Sequence, residues 1–75
     1  MNIRVKCFAT LDTFQPEDPE NFPISEGETV AQVMERLGVP AQEVHVIFVN
    51  SRHVDPDTVL KHGDKLGLFP AVGGG

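Results

Sequence analysis

From Ile3 to Ala9 the chain alternates, with Ile3, Val5, Cys7 and Ala9 on one side and Arg4, Lys6 and Phe8 on the other. Successive side chains of a strand point to opposite faces, so this stretch predicts a half-buried first strand. Thr10 to Glu20 breaks the pattern with Asp12, Gln15, Pro16, Glu17, Asp18 and Pro19, which favour turns and loops. A short second strand is expected around Asn21 to Ile24, forming a hairpin with a long connection.

Thr29 and Gln32 fit a capping box, in which each side chain satisfies an unpaired backbone N–H at a helix start. Val30, Val33, Met34 and Leu37 follow at i, i+3, i+4 and i+7 and make one apolar stripe. Gly38 suits a left-handed cap, and Pro40 blocks continuation. Val44 to Val49 is apolar apart from His45 and reads as a third strand, with Val46 and Phe48 taken as the inward residues. Asn50-Ser51 is a turn into a short strand near His53-Val54, and Thr58 to Leu60 is expected to form a brief helical turn. His62-Gly63-Asp64 interrupts the chain before a last strand, Lys65 to Phe69, where Leu66 and Leu68 share a face and Pro70 ends the pairing.

The helix is the only element large enough to cover a sheet face, so the apolar strand faces must meet its stripe. This predicts an α+β fold of β-grasp (ubiquitin-like) type, a mixed sheet of four to five strands on one helix. Ile3, Val5, Val33, Met34, Leu37, Val46, Leu66 and Leu68 are the expected core. Residues 1–70 are expected to form the domain and 71–75 a flexible tail.

Composition narrows the function. A chain of 75 residues holds one small core, and its single cysteine excludes an internal disulfide. Cys7 is expected to be an unreactive core residue. The net charge of −5, with only six basic residues, disfavours nucleic acid, where phosphate neutralisation dominates affinity. It favours a partner with a basic surface. No apolar run reaches membrane-spanning length and no signal-peptide layout is present, so the expected location is the cytoplasm.

Gly73, Gly74 and Gly75 stand out as a possible chemical feature. Their bland reading is a floppy end. Their chemical reading is a backbone without Cβ atoms that enters a narrow active site and leaves the terminal carboxylate unshielded. His45, His53 and His62 lack metal-ligand spacing and read as solvated. The acidic run Glu17 to Glu20 reads as a solvated loop. No nucleophile–base pair, phosphate loop or paired carboxylates are apparent, so a free-standing enzyme is not expected. Strand parity places Phe8 and Phe69 side by side on the outer sheet face, joined by Ile47 if Val46 and Phe48 point inward. With Pro70 these form the expected partner-binding patch, since an exposed apolar patch marks an interaction site.

The stretch Ile3 to Leu11, "VNSRHV" at Val49 to Val54, "HGDKLGLFP" and the ending "AVGGG" resemble the MoaD/ThiS family of sulfur carriers over essentially the whole length. The most specific part is Gly63-Asp64, an apolar strand, Pro70 and terminal Gly74-Gly75. The resemblance implies that an E1-like enzyme uses ATP and magnesium to adenylate the Gly75 carboxylate, with Gly73 and Gly74 threading its active site. A sulfur donor then produces a thiocarboxylate, which passes sulfur to an acceptor. The carrier itself holds no cofactor or metal. The aromatic–proline ending resembles the MoaD side, the small subunit of molybdopterin synthase, whose partner is that enzyme's large subunit. A thiazole synthase acceptor, a protein modifier conjugated through Gly75 and a passive adaptor are the other readings.

Overall fold

The computed structural model describes residues 1–71. The strands β1 (Asn2–Cys7), β2 (Phe22–Pro23), β3 (Val44–Val49), β4 (Arg52–His53) and β5 (Lys65–Pro70), with the helix α1 (Val30–Leu37), make up its regular structure apart from two 3-10 turns. Among the described residues the five strands form one sheet in the order β2-β1-β5-β3-β4. The β1–β5 pair is parallel, with Cys7 opposite Leu68, and the other pairs are antiparallel. A five-strand mixed sheet on one main helix is the β-grasp fold.

The helix begins and ends where its capping residues require. Thr29 Oγ1 accepts the Gln32 N–H at 3.2 Å, and Gln32 Oε1 accepts the Thr29 N–H at 2.8 Å. Both donors would otherwise be orphaned in the first turn. At the other end Gly38 takes a left-handed conformation, φ 79°, which releases the chain from the helix. The stripe buries Val30, Val33 and Met34 against Ile3, Val5, Leu66 and Leu68. Leu37, expected in the core, is only partly buried, because it lies in the last turn before the cap.

Two core residues come from segments expected to be loop and helical turn. The chain leaves β1 after Phe8 through Ala9, exposed and at φ 53°, and winds into a 3-10 turn, Ala9–Phe14. Ala9 is therefore not part of the buried face, and the next apolar residue, Leu11, fills it instead at 0% exposure. Thr58 to Leu60 forms no helical turn. Val59 bridges antiparallel to Thr29, and Leu60, whose N–H donates to the Glu28 carbonyl, is buried.

The outer edge of β1 beyond its short pairing with β2 is closed by a side chain. Gln15 Oε1 accepts the Cys7 N–H at 2.7 Å and Gln15 Nε2 donates to the Val5 carbonyl at 2.8 Å. The Val5 N–H donates to the Pro19 carbonyl. The long connection thus satisfies backbone groups that would otherwise form an open edge.

A salt bridge ties the strand–helix loop to the helix end. Glu28, 9% exposed, accepts from the Ser25 N–H and from Arg36, whose guanidinium also stacks on Phe22 and donates to the Pro23 carbonyl. Burial pushes the Glu28 carboxyl up, but the Ser25 amide and Arg36 outweigh it and hold its pKa below the usual range. A depressed carboxyl pKa adds stability above the unfolded-state value of about 4.5 and loses it as pH falls through the folded value. Glu28→Gln is therefore expected to be roughly 1 kcal/mol less stable than the wild type at pH 7 in urea titrations, with the gap closing at pH 3. A gap unchanged at pH 3 would contradict the ion pair.

Candidate functional site

The helix covers one face of the sheet and leaves the other open. On β1 and β5 the parity expected from sequence holds, so Phe8 and Phe69 lie on the open face. Their rings stack, with centroids 4.1 Å apart and planes 8° from parallel.

On β3 the parity does not hold. Val44 pairs with Pro70 and Val46 with Phe69, so two steps on β3 match one on β5 and His45 is the extra residue of a β-bulge. The bulge flips every later side chain. Val44 packs against the core, and so do Ile47 and Val49, three and five residues on. Val46 and Phe48 turn to the open face. Ile47, expected in the patch, is therefore a core residue at 6% exposure, and Val46, expected in the core, is not. Phe48 takes the place assigned to Ile47. Its ring meets Phe69 edge-on, with centroids 5.5 Å apart at 84°, an arrangement that aromatic quadrupoles favour.

Pro70 also leaves the patch. It pairs within β5, shares the parity of Leu66 and Leu68, and is buried. Gly73, Gly74 and Gly75, the tail and its proposed reactive end, lie outside the described residues.

A glycine makes the floor of this face. Gly67 sits opposite Lys6 on one side and Phe48 on the other, and Phe48 in turn faces His53 on β4. A Cβ at Gly67 would touch the Phe8 and Phe69 rings at 3.5 Å, in ordinary contact. The rings thus close over the space a side chain would take. Lys6, Phe8, Phe48, Lys65, Gly67 and Phe69 line an open groove of about 400 Å³ here. His53, half against Phe48 at 5.9 Å, continues the row outward. The reading from sequence missed Phe48 and Gly67, since strand alternation gives no sign of a bulge.

Turn chemistry fixes the patch in place. Asn50 and Ser51 both have positive φ, 52° and 70°, as the two-residue turn between β3 and β4 requires. Asn50 Oδ1 accepts the Lys65 N–H, and Asn50 Nδ2 donates to Asp64 Oδ1 at 2.9 Å. The other Asp64 oxygen accepts the Lys61 N–H. The Gly63-Asp64 motif therefore latches the β3–β4 turn to the start of β5. Its role is architectural.

Among the described residues the remaining polar groups of chemical interest lie apart from this face and from one another. Cys7 is buried, and burial, with the Asp12 carboxylate, pushes its thiol pKa up, away from the reactive thiolate. His45 sits on the bulge, and His62 Nδ1 accepts the Asn2 N–H. Among the described residues no three His, Cys, Asp or Glu lie close enough to hold a metal ion, and no helix is long and apolar enough to cross a membrane.

Fold and open face define a ubiquitin-like β-grasp protein. The ThiS family model matches residues 5–75, and the chain belongs to that family, within the MoaD/ThiS sulfur carriers its sequence resembles. Among solved structures it is similar to a Pyrococcus furiosus protein described as a molybdopterin converting factor, subunit 1. The two are 30% identical, superpose with a TM-score of 0.73, and align over 96% of this chain and 99% of that one. No curated protein matches the chain.

Proposed function

We propose that the protein carries sulfur as a thiocarboxylate on Gly75 for cofactor biosynthesis, with molybdopterin as the favoured acceptor pathway. The observation that carries this reading is the ThiS-family match, which runs through the last glycine. The name of the Pyrococcus neighbour favours a molybdopterin synthase large subunit as the receiving enzyme. The family model's own name supports a thiazole synthase as the second reading.

A carboxylate is a poor acyl donor, since its leaving group would be oxide. On an E1-like partner using ATP and magnesium, a Gly75 oxygen attacks the α-phosphorus of ATP, and pyrophosphate leaves. Hydrosulfide released by the sulfur donor attacks the acyl carbon, AMP leaves with that oxygen, and loss of the S–H proton gives the thiocarboxylate. Sulfur then stays covalently attached to a protein that successive enzymes recognise. The chain supplies neither acid, base nor metal to these steps. It contributes a rigid aromatic face to dock on and an end without side chains to insert. Incubation with the E1-like enzyme, ATP, magnesium and a sulfur donor tests this. A mass gain of one oxygen-to-sulfur exchange supports the carrier, and an isopeptide bond from Gly75 to a lysine supports a protein modifier instead.

The docking face gives a separate expectation. Phe69→Ala should weaken binding to the E1-like enzyme by about thirtyfold, since aromatic anchors at interface centres are worth about 2 kcal/mol or more. The same variant loses a stacked pair worth about 0.5–1.5 kcal/mol to the fold, so its melting temperature should drop by about 2–12 °C while the fold persists. Unchanged binding in calorimetry, with a collapsed melt, would place Phe69 in the core instead.

A further inference from the structure

The eleven acidic residues of this chain all lie outside its strands. None occurs within Asn2–Cys7, Phe22–Pro23, Val44–Val49, Arg52–His53 or Lys65–Pro70. Of the six basic residues, Arg4, Lys6 and Lys65 share the parity of Phe8 and Phe69 and so lie on the open face. Arg4 is matched by Glu20 at 3.2 Å. Lys6 and Lys65 flank the groove floored by Gly67, and among the described residues neither has a carboxylate within salt-bridge distance. A chain of net charge −5 thus turns a locally cationic face outward, with its negative charge on the helix side and the loops. This arrangement reverses the expectation of a basic partner that net charge alone suggested.

We infer that the groove over Gly67 receives an acidic peptide segment of the partner protein, one apolar side chain between carboxylates. This rests on the open face being the docking face of the proposed carrier. The apolar side chain enters the open groove beside Gly67, against the Phe8, Phe48 and Phe69 rings that line it. The flanking carboxylates meet Lys6 and Lys65. Lys6 Nζ lies 5.4 Å from the centre of the Phe8 ring, so an approaching carboxylate meets its charge beside an apolar wall. Separated charge of this kind orients the encounter: the acidic remainder of the molecule is repelled while the groove side is drawn in. Single-stranded nucleic acid fits the geometry less well. Stacking platforms need free ring faces, and Phe8 and Phe69 occupy one face of each other.

Titration of the full-length, nitrogen-15-labelled protein with short peptides tests the inference apart from any sulfur chemistry. The probes are acetyl-Glu-Asp-Leu-Glu-Asp-amide, its Gln-Asn-Leu-Gln-Asn counterpart, a Lys-Lys-Leu-Lys-Lys peptide and hexauridylate. The acidic peptide should shift the amides of Lys6, Phe48 and Gly67, and bind at least tenfold tighter than the neutral one at low salt. That preference should vanish at high salt, where charges beyond about 3 Å are screened. Lys6→Gln with Lys65→Gln should remove the preference while leaving the fold intact, and Gly67→Leu should block the groove. Equal binding of the neutral or basic peptide, tighter binding of hexauridylate, shifts elsewhere, or no binding of the acidic peptide would each overturn the inference. Thiocarboxylate formation measured by mass stands or falls independently of these titrations.

Discussion

Leu68→Ala is expected to leave the protein largely unfolded at room temperature. Leu68 is 0% exposed at the middle of β5, between its parallel partner β1 and the antiparallel β3, opposite Cys7 and Ile47. Truncating a fully buried leucine costs about 2–5 kcal/mol, because a cavity adds to the lost transfer energy. A core in a chain of this length supplies only about 3–5 kcal/mol of net stability. The loss is therefore comparable to the whole. Leu37→Ala provides the contrast. Its side chain is half-buried at the helix end, so its cost should fall at about 2 kcal/mol or below. Urea titration followed by circular dichroism compares the two. Equal losses would mean that Leu37 is as deep in the core as the helix stripe alone suggests.

That pair also marks how far the sequence could be read. The capping box at Thr29 and Gln32, the stripe, the Gly38 cap and the alternation on β1 and β5 are local signals. Each names its own partners within a few residues, and each element formed where they pointed. What failed depended on contacts distant in sequence. The bulge at His45 shows in no local pattern, since Val44 to Val49 is apolar on both faces, so Ile47 and Phe48 were exchanged between core and patch. Leu11 enters the core from a 3-10 turn and Leu60 from the irregular segment after the Val59 bridge, where no period announces burial. For the site, Phe8 and Phe69 were legible because parallel pairing follows from the order of elements. Gly67 was not, because its contribution is an absent side chain, whose use depends on the rings around it.

The second large effect concerns the chain end. Deleting Gly75 leaves a carboxylate on Gly74, so activation stays chemically possible. The new end stops about 3.3–3.6 Å short when the tail is extended, and a misplacement of even 1 Å can cost on the order of a hundredfold in rate. Adding a residue after Gly75 should be as damaging, because the reactive carbonyl becomes part of a peptide bond. Neither change touches the described core, which ends with Pro70 on β5, so both variants should melt with the wild type. Intact-mass spectrometry of wild type, deletion and extension, loaded side by side with the E1-like enzyme, ATP, magnesium and a sulfur donor, is the direct measurement. The account predicts one oxygen-to-sulfur exchange at Gly75 in the wild type and none in either variant. Full sulfur loading of either variant, or none in the wild type, would contradict it.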